Sequence, residues 1–197
     1  MSHIFTSIWH SRWVRVSLVV VGVLVLAGYT CYRGGWYPLV SVNGTMVWAY
    51  EYRTSVQLTN NFYANVQKQS KMRVPQSDEI EKIVFDGLVD DIFITQELRT
   101  QMSTDEINQK IKTQVDAMIA SGDGRTQMLA LTQMSEKDSR TYLLNQIARS
   151  QMLADLFILQ QKEILPWLME QRNRAQVSFL GMRGIWNGEK GYEKLQK

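Results

Sequence analysis

Residues 16–32 read VSLVVVGVLVLAGYTCY and carry no charge. A run this long and this apolar on every side constrains the chain more than any other feature, because such a helix is not at home on a water-facing surface. At about 1.5 Å per residue it reaches roughly 25 Å as a helix, the short end of what crosses a bilayer. Val16, Leu18, Val20, Val23 and Leu26 are its lipid-facing candidates, and Tyr29 and Tyr32 close it. Trp9 and Trp13 on one side, and Tyr29, Tyr32, Trp36 and Tyr37 on the other, are placed like interfacial aromatic belts. Arg12 and Arg15 precede the run and Arg33 follows it, which favours a cytoplasmic N-terminus and an outward body. A cleaved leader is the competing reading, but the apolar run is longer than usual and no A-x-A site follows. The expectation is an uncleaved single-pass anchor over residues 16–32, a cytoplasmic tail over 1–15, and a linker over 33–38 containing Gly34, Gly35 and Pro38.

The chain has 197 residues and a net charge of +3. Both signs are interspersed and no basic run stands out, so nucleic acid is not an expected partner. The lone cysteine, Cys31, excludes an intramolecular disulfide, a paired-thiol redox motif and a thiolate metal site. Both histidines, His3 and His10, lie ahead of the apolar run. The body beyond residue 38 therefore lacks the commonest acid–base group and metal ligand. Ser55, Ser139 and Ser150 have no base in any readable pattern. No catalytic residue, metal site or cofactor is expected.

Just after the linker, LVSVNGTMVWAYEY (Leu39–Tyr52) holds two short apolar runs around Asn43-Gly44. Asn-Gly between alternating apolar residues is the strongest short-range signal for a β-hairpin, since both residues accept positive φ. A helix is expected to follow, from about Trp48 to Met72. Pro75 ends it, and Ser77 with Asp78 and Glu79 opens the next. There Ile80, Ile83, Val84, Leu88, Ile92 and Leu98 recur at helical steps, widened by Val89 and Phe93. Asp86, Asp90 and Asp91 read as its solvated side, adjacent helix residues pointing apart. Ser103 and Glu106 form a capping box for a third helix carrying Ile107, Ile111, Val115, Met118 and Ile119. A short helix over about Thr126–Gln133 comes next. A long one follows from Glu136 to about Ile164, its apolar side including Phe157 and Leu159. Pro166 suits the first turn of a last helix ending near Arg172.

The ordered set of pieces resembles a known family. An apolar anchor, the V-N-G hairpin, a long helix and LVDDIFITQEL (Leu88–Leu98) come first; a capping box and LLNQIARSQML (Leu143–Leu153) follow. This looks like the N-terminal chaperone domain of the SurA/PrsA/PpiD group of extracytoplasmic folding factors, over roughly Leu39–Leu168. The resemblance implies a mainly α fold: an N-terminal transmembrane helix, a small β-hairpin and a SurA-N-like body of five to six helices over 39–172. It implies a membrane-tethered holdase in the inner (cytoplasmic) membrane, with its body on the periplasmic side, binding unfolded or newly translocated clients. The bilayer, and a secretion channel or another membrane complex, are the further partners. In that family a parvulin-type isomerase domain usually follows. RAQVSFLG (Arg174–Gly181) resembles its first strand, with Ser178 where the family has histidine, and Gly188–Lys197 is expected to begin a helix. Residues 173–197 are thus expected to be an inactive remnant, without isomerase activity.

For client binding the candidates are Phe62 and Tyr63, the apolar side of a polar helix, with Trp167 and the flexible thioethers Met118, Met128 and Met134. Core filling is the commoner use of any one methionine. The alternative function is a non-catalytic scaffold or accessory subunit of a membrane complex; an enzyme comes third. The Val40–Val42 strand is expected to pair near Val177–Leu180 and bring the two ends of the body together.

Overall fold

The computed structural model describes residues 12–70, 73–120, 137 and 140–195. It divides into two compact units, Met1–Tyr37 and Pro38–Lys197.

Among its described residues the first unit holds one helix, α1 (Arg12–Gly34). It ends where Gly35 takes φ 72°, donating its N–H to Tyr32 O at 3.2 Å while Trp36 N–H reaches Cys31 O at 2.9 Å. This is the left-handed glycine stop that closes many helices. Tyr32 stacks on Tyr37 with ring centres 5.4 Å apart. The expected span begins outside the described side chains, at Val16 and Leu18. The charge-free stretch inside them, residues 19–32, is about 20 Å long at 1.5 Å per residue, against a hydrocarbon layer of about 30 Å. Among the described residues no helix is long and apolar enough to cross a membrane. Val20, Val23, Leu26, Tyr29 and Tyr32 are all exposed on α1.

The second unit opens with the hairpin read from the sequence. β1 (Pro38–Val42) and β2 (Thr45–Trp48) pair antiparallel around a two-residue turn. Asn43 has φ 48° and Gly44 φ 81°, both positive as a type I′ turn needs. β3 (Val177–Phe179) joins the other edge of β1, with Val40 opposite Phe179, Ser41 opposite Ser178 and Val42 opposite Val177. The sheet order is β2-β1-β3, and the two ends of the body meet as expected. Val40, Val42 and Val47 are buried on the inner face, while Met46 and Ser178 are exposed on the outer one.

Helix α2 (Ala49–Ser70) leads to α3 (Ser77–Gln101), the central element. Its start is capped at Gln76, one residue before the expected Ser77: Gln76 N–H donates to Glu79 Oε2 at 2.7 Å. Ile80, Val84, Phe85, Val89, Phe93 and Leu98 form its buried stripe. Ile83, counted in that stripe from the sequence, is exposed instead. Phe85 carries the near end of the core, its ring lying 4.6 Å from Tyr192, 5.8 Å from Phe179 and 6.1 Å from Trp186. At the far end Leu98 packs with Ile107, Ile111 and Val115 of α4 (Thr104–Ala120) and with Leu144, Ala148 and Met152. Each large apolar side chain so buried contributes on the order of 1.5–3 kcal/mol. The expected helix over Thr126–Gln133 lies outside the described residues.

The helix expected from Glu136 to Ile164 is, in its described part, a π-helical turn (Arg140–Leu144) running into α5 (Asn145–Leu159), and it stops five residues short of Ile164. After a break, the expected last helix with Pro166 in its first turn is α6 (Ile164–Arg174). The break is a left-handed stop built on Gln161, φ 53°. Lys162 N–H reaches Phe157 O at 2.9 Å and Gln161 N–H reaches Ile158 O at 3.2 Å, the paired bonds of a Schellman motif. A glutamine gives no warning of this in a sequence.

The segment expected to start a helix after residue 188 is a strand. β4 (Gly184–Asn187) and β5 (Gly191–Lys194) make a separate hairpin. Gly188 and Gly191 disfavour helix, Asn187 Oδ1 accepts the N–H groups of Glu189 and Lys190, and Tyr192 is drawn into the aromatic cluster around Phe85.

Candidate functional site

The Schellman stop decides what happens to the apolar side of α5. Phe157 turns inward, fully buried, and takes Trp167 edge-to-face at 5.1 Å. The Lys162 ammonium stands 5.6 Å over the same ring. The apolar residues on either side of the stop are open to solvent. Ile158 is 74% exposed, Leu159 83% and Leu165 74%, with Ile164 and Met169 also exposed. Leu159, read as core from its spacing, is among the most open apolar residues of the body. This shoulder, gathered on the ends of α5 and α6 around a four-residue turn, is the kind of exposed apolar feature that marks a binding surface on a folded domain.

Two ion pairs fix α5 and α6 to the central helix. Arg172 grips Asp90 with two bonds, 2.8 and 2.5 Å, and Arg149 grips Asp91 with 2.7 and 2.6 Å. The side chains of Asp90 and Asp91 are only 19% exposed. The solvated helix face expected here is instead a pair of clamps: the two acids do point apart, but each meets an arginine from a different helix. Burial pushes the Asp90 carboxyl up from its ordinary value, with Arg172 pulling against it. Arg172 is itself held more firmly protonated, chiefly by its bonds to Asp90. Trp186 Nε1 donates to Arg172 O at 3.0 Å, tying the β4–β5 hairpin to the end of α6.

That hairpin is latched to α3 as well. Asp86 accepts Tyr192 N–H at 2.8 Å and Lys82 at 3.0 Å. Lys82 also donates to Lys190 O and Tyr192 O. Lys194 bridges Asp78 and Glu81 at 3.1 and 2.9 Å, and these two contacts hold its ammonium well above the usual lysine range. Between the hairpin and α2 lies a cleft of about 830 Å³, lined by Tyr52, Glu81, Lys82, Arg183 and Tyr192 among others. Burial, then Glu81, keeps the Tyr52 hydroxyl protonated far beyond its ordinary range. Of the acids that line this cleft, Asp78 and Glu81 are engaged by Lys194, and Glu79 accepts the Gln76 N–H. Among the described residues no group of three His, Cys, Asp or Glu is placed to hold a metal ion.

The sequence candidates fall in different places. Phe62 and Tyr63 meet edge-to-face on α2 at 5.5 Å, with Phe62 exposed. Met118 packs against the Leu98 cluster. Trp167 sits beneath the exposed shoulder. Met128 and Met134 lie outside the described residues. Of the shoulder residues, Leu159 was taken for core because it follows the apolar spacing of α5, while Ile158 and Leu165 had no pattern of their own to single them out.

A family model for the SurA-like N-terminal domain matches residues 8–153. The chain belongs to that family. No curated protein and no solved structure matches it. The SurA-like match runs from the N-terminal segment into α5. The shoulder, β3 and the β4–β5 hairpin therefore lie beyond the matched part, while the acids that clamp them, Asp86, Asp90 and Asp91, lie within it.

Proposed function

We propose that this SurA-like chain is a membrane-tethered holdase that keeps extended apolar segments of unfolded or newly exported proteins from aggregating. One observation carries this reading: just beyond its SurA-like domain the chain presents Ile158, Leu159 and Leu165 to solvent, on a helix junction clamped to that domain through Asp90 and Asp91. Client side chains would bury there reversibly, without nucleotide or metal. Residues 16–32 would hold the body outside the cytoplasmic membrane, where tethering raises the effective concentration of binder near an emerging chain. Prolyl isomerisation is not part of the proposed activity.

The test uses the full chain in lipid nanodiscs with a chemically unfolded client. Light scattering on dilution should fall with added chain, and the double variant L159S/L165S should lose most of that effect while keeping the wild-type circular dichroism spectrum. Unchanged scattering at several-fold excess of the wild type sinks the holdase reading. Acceleration of a prolyl-peptide isomerisation assay would contradict the non-catalytic part.

A further inference from the structure

Among the described residues the outer edge of β2 is open at one residue. In a two-residue hairpin the residues flanking the turn exchange both main-chain bonds, and bonded and non-bonded pairs then alternate. Val42 and Thr45 are the flanking pair, so Ser41 and Met46 are a non-bonded one. Met46 thus turns its N–H and C=O away from β1. The other side of β1 agrees: Asn43 N–H donates to Gln176 O at 3.0 Å and Leu180 N–H to Leu39 O at 2.8 Å, so the odd-numbered residues of this segment face β3. Trp48 N–H is taken by Glu51 at 3.0 Å. The open edge is centred on Met46.

Helix α3 crosses beneath the sheet toward this edge. Phe85 lies under β3, against Phe179. Eleven residues on, the Gln96 amide donates to Thr45 Oγ1 of β2 at 3.2 Å. Arg99, one helical turn on from Gln96, lines the same place as the β2 residues. A groove of about 270 Å³ lies there, lined by Thr45, Met46 and Val47 of the strand and by Ile92, Thr95 and Arg99 of the helix, among others. Arg149 also borders it but is engaged by Asp91. Arg99 has no hydrogen-bond or ion-pair partner among the described residues.

We propose that this groove takes an extended acidic segment of another polypeptide as a fourth, antiparallel strand on β2. One residue of the segment exchanges both main-chain bonds with Met46. The residue after it stands opposite Thr45, and directly opposed residues put their side chains on the same face. That face is the α3 side, so a Glu or Asp there meets the Arg99 guanidinium in a charge-assisted pair. The strand edge supplies affinity for any extended backbone, and the arginine supplies the selection. This docking mode builds on the reading of the chain as a binder of unfolded polypeptide, but it sits at a different place from the shoulder and can stand or fall separately.

The experiment measures fluorescence anisotropy of labelled ten-residue peptides of high β-propensity, with a single central Glu and an amidated C-terminus, against the full chain in detergent at low salt. Replacing that Glu by Gln should weaken binding about tenfold. N-methylating the residue before the Glu should weaken it comparably. R99Q should bind the Glu and Gln peptides alike, at the Gln level. M46P removes the outward N–H at a position where an edge strand tolerates proline, and should reduce binding of both; circular dichroism checks its fold. Glu-over-Gln preference that survives in R99Q overturns the proposal, as does an N-methylated peptide that binds like its parent. A peptide whose sole carboxylate is its C-terminus, if it binds as tightly as the Glu peptide, also overturns it in favour of chain-end capture. L159S/L165S should bind these peptides like the wild type, and R99Q should still suppress aggregation of a client poor in acidic residues. Failure of suppression with peptide selection intact removes the holdase reading and leaves the groove.

Discussion

Asp90 and Arg172 face each other as a two-point ion pair, carboxylate against guanidinium, between the middle of α3 and the last turn of α6. The neighbouring residue, Asp91, does the same with Arg149 of α5. Consecutive positions on one helix thereby hold two other helices, so the angle between α5 and α6 is set from α3.

A double-mutant cycle measures the first clamp. With D90N, R172Q and the double variant unfolded by urea, the coupling between the two positions should be about 1.5–3 kcal/mol, the range for hydrogen bonds to charged, partly buried groups. A coupling under about 0.5 kcal/mol would put the pair with ordinary exposed ion pairs.

Gln161 occupies a left-handed backbone position that costs a residue with a Cβ about 1–2 kcal/mol, partly offset in glycine by lost chain entropy. Q161G should stabilise the protein by about 0.5–1 kcal/mol, seen as a higher urea midpoint at an unchanged slope. A lower midpoint would mean the glutamine side chain contributes more than its backbone costs.

Gly191 is the reverse case. Its φ is 78°, and a methyl group there would run into the Asp86 carboxylate that holds Tyr192. G191A should cost about 1–3 kcal/mol and loosen β5 from α3, with Trp186 fluorescence shifting toward that of an exposed indole. Wild-type stability and emission in G191A would show that the hairpin is not latched through this contact.

The capping box at α4 gives a pH signature. Ser103 N–H donates to Glu106 Oε2 at 2.8 Å and Glu106 N–H donates to Ser103 Oγ at 3.3 Å. The bonds from Ser103 hold the Glu106 carboxyl below its ordinary value of 4.5. A carboxyl lowered by folding stabilises the native state above the unfolded value, and that contribution is lost as pH falls through the folded one. E106Q should therefore melt below the wild type at pH 7, and the gap should close as pH drops below about 4.5. Melting curves followed by circular dichroism from pH 7 to 3 test this; a gap constant across that range would rule out the charged cap as its source.

What the sequence disclosed follows the range of the interactions involved. Asn43-Gly44 and Ser103–Glu106 act over two to four residues, and both stand as read. The pairing of Val40–Val42 with Val177–Phe179 was legible because two short apolar strands at the ends of a helical body have few other partners. Asp90 and Asp91 were misread because their arginines come from distant helices, and charges on a helix are usually solvated. Leu159 was misread because a periodic stripe does not announce where its helix stops, and the stop is written in Gln161, an unremarkable helix former. Arg99 gave no signal at all: its place beneath the edge of β2 exists only once α3 has crossed the sheet.

The bond from Asn43 to Gln176 joins residues 133 apart in the chain. During synthesis at about 5–20 residues per second, the β1–β2 hairpin emerges about 7–27 s before its third strand. A two-stranded hairpin alone is marginally stable in water. For that interval the inner edge of β1 is an unsealed template beside the nascent chain, and the helices must hold the place open. Closing the sheet is thus the late, long-loop step of folding, and its completion reports that the polypeptide has been made at least as far as residue 176.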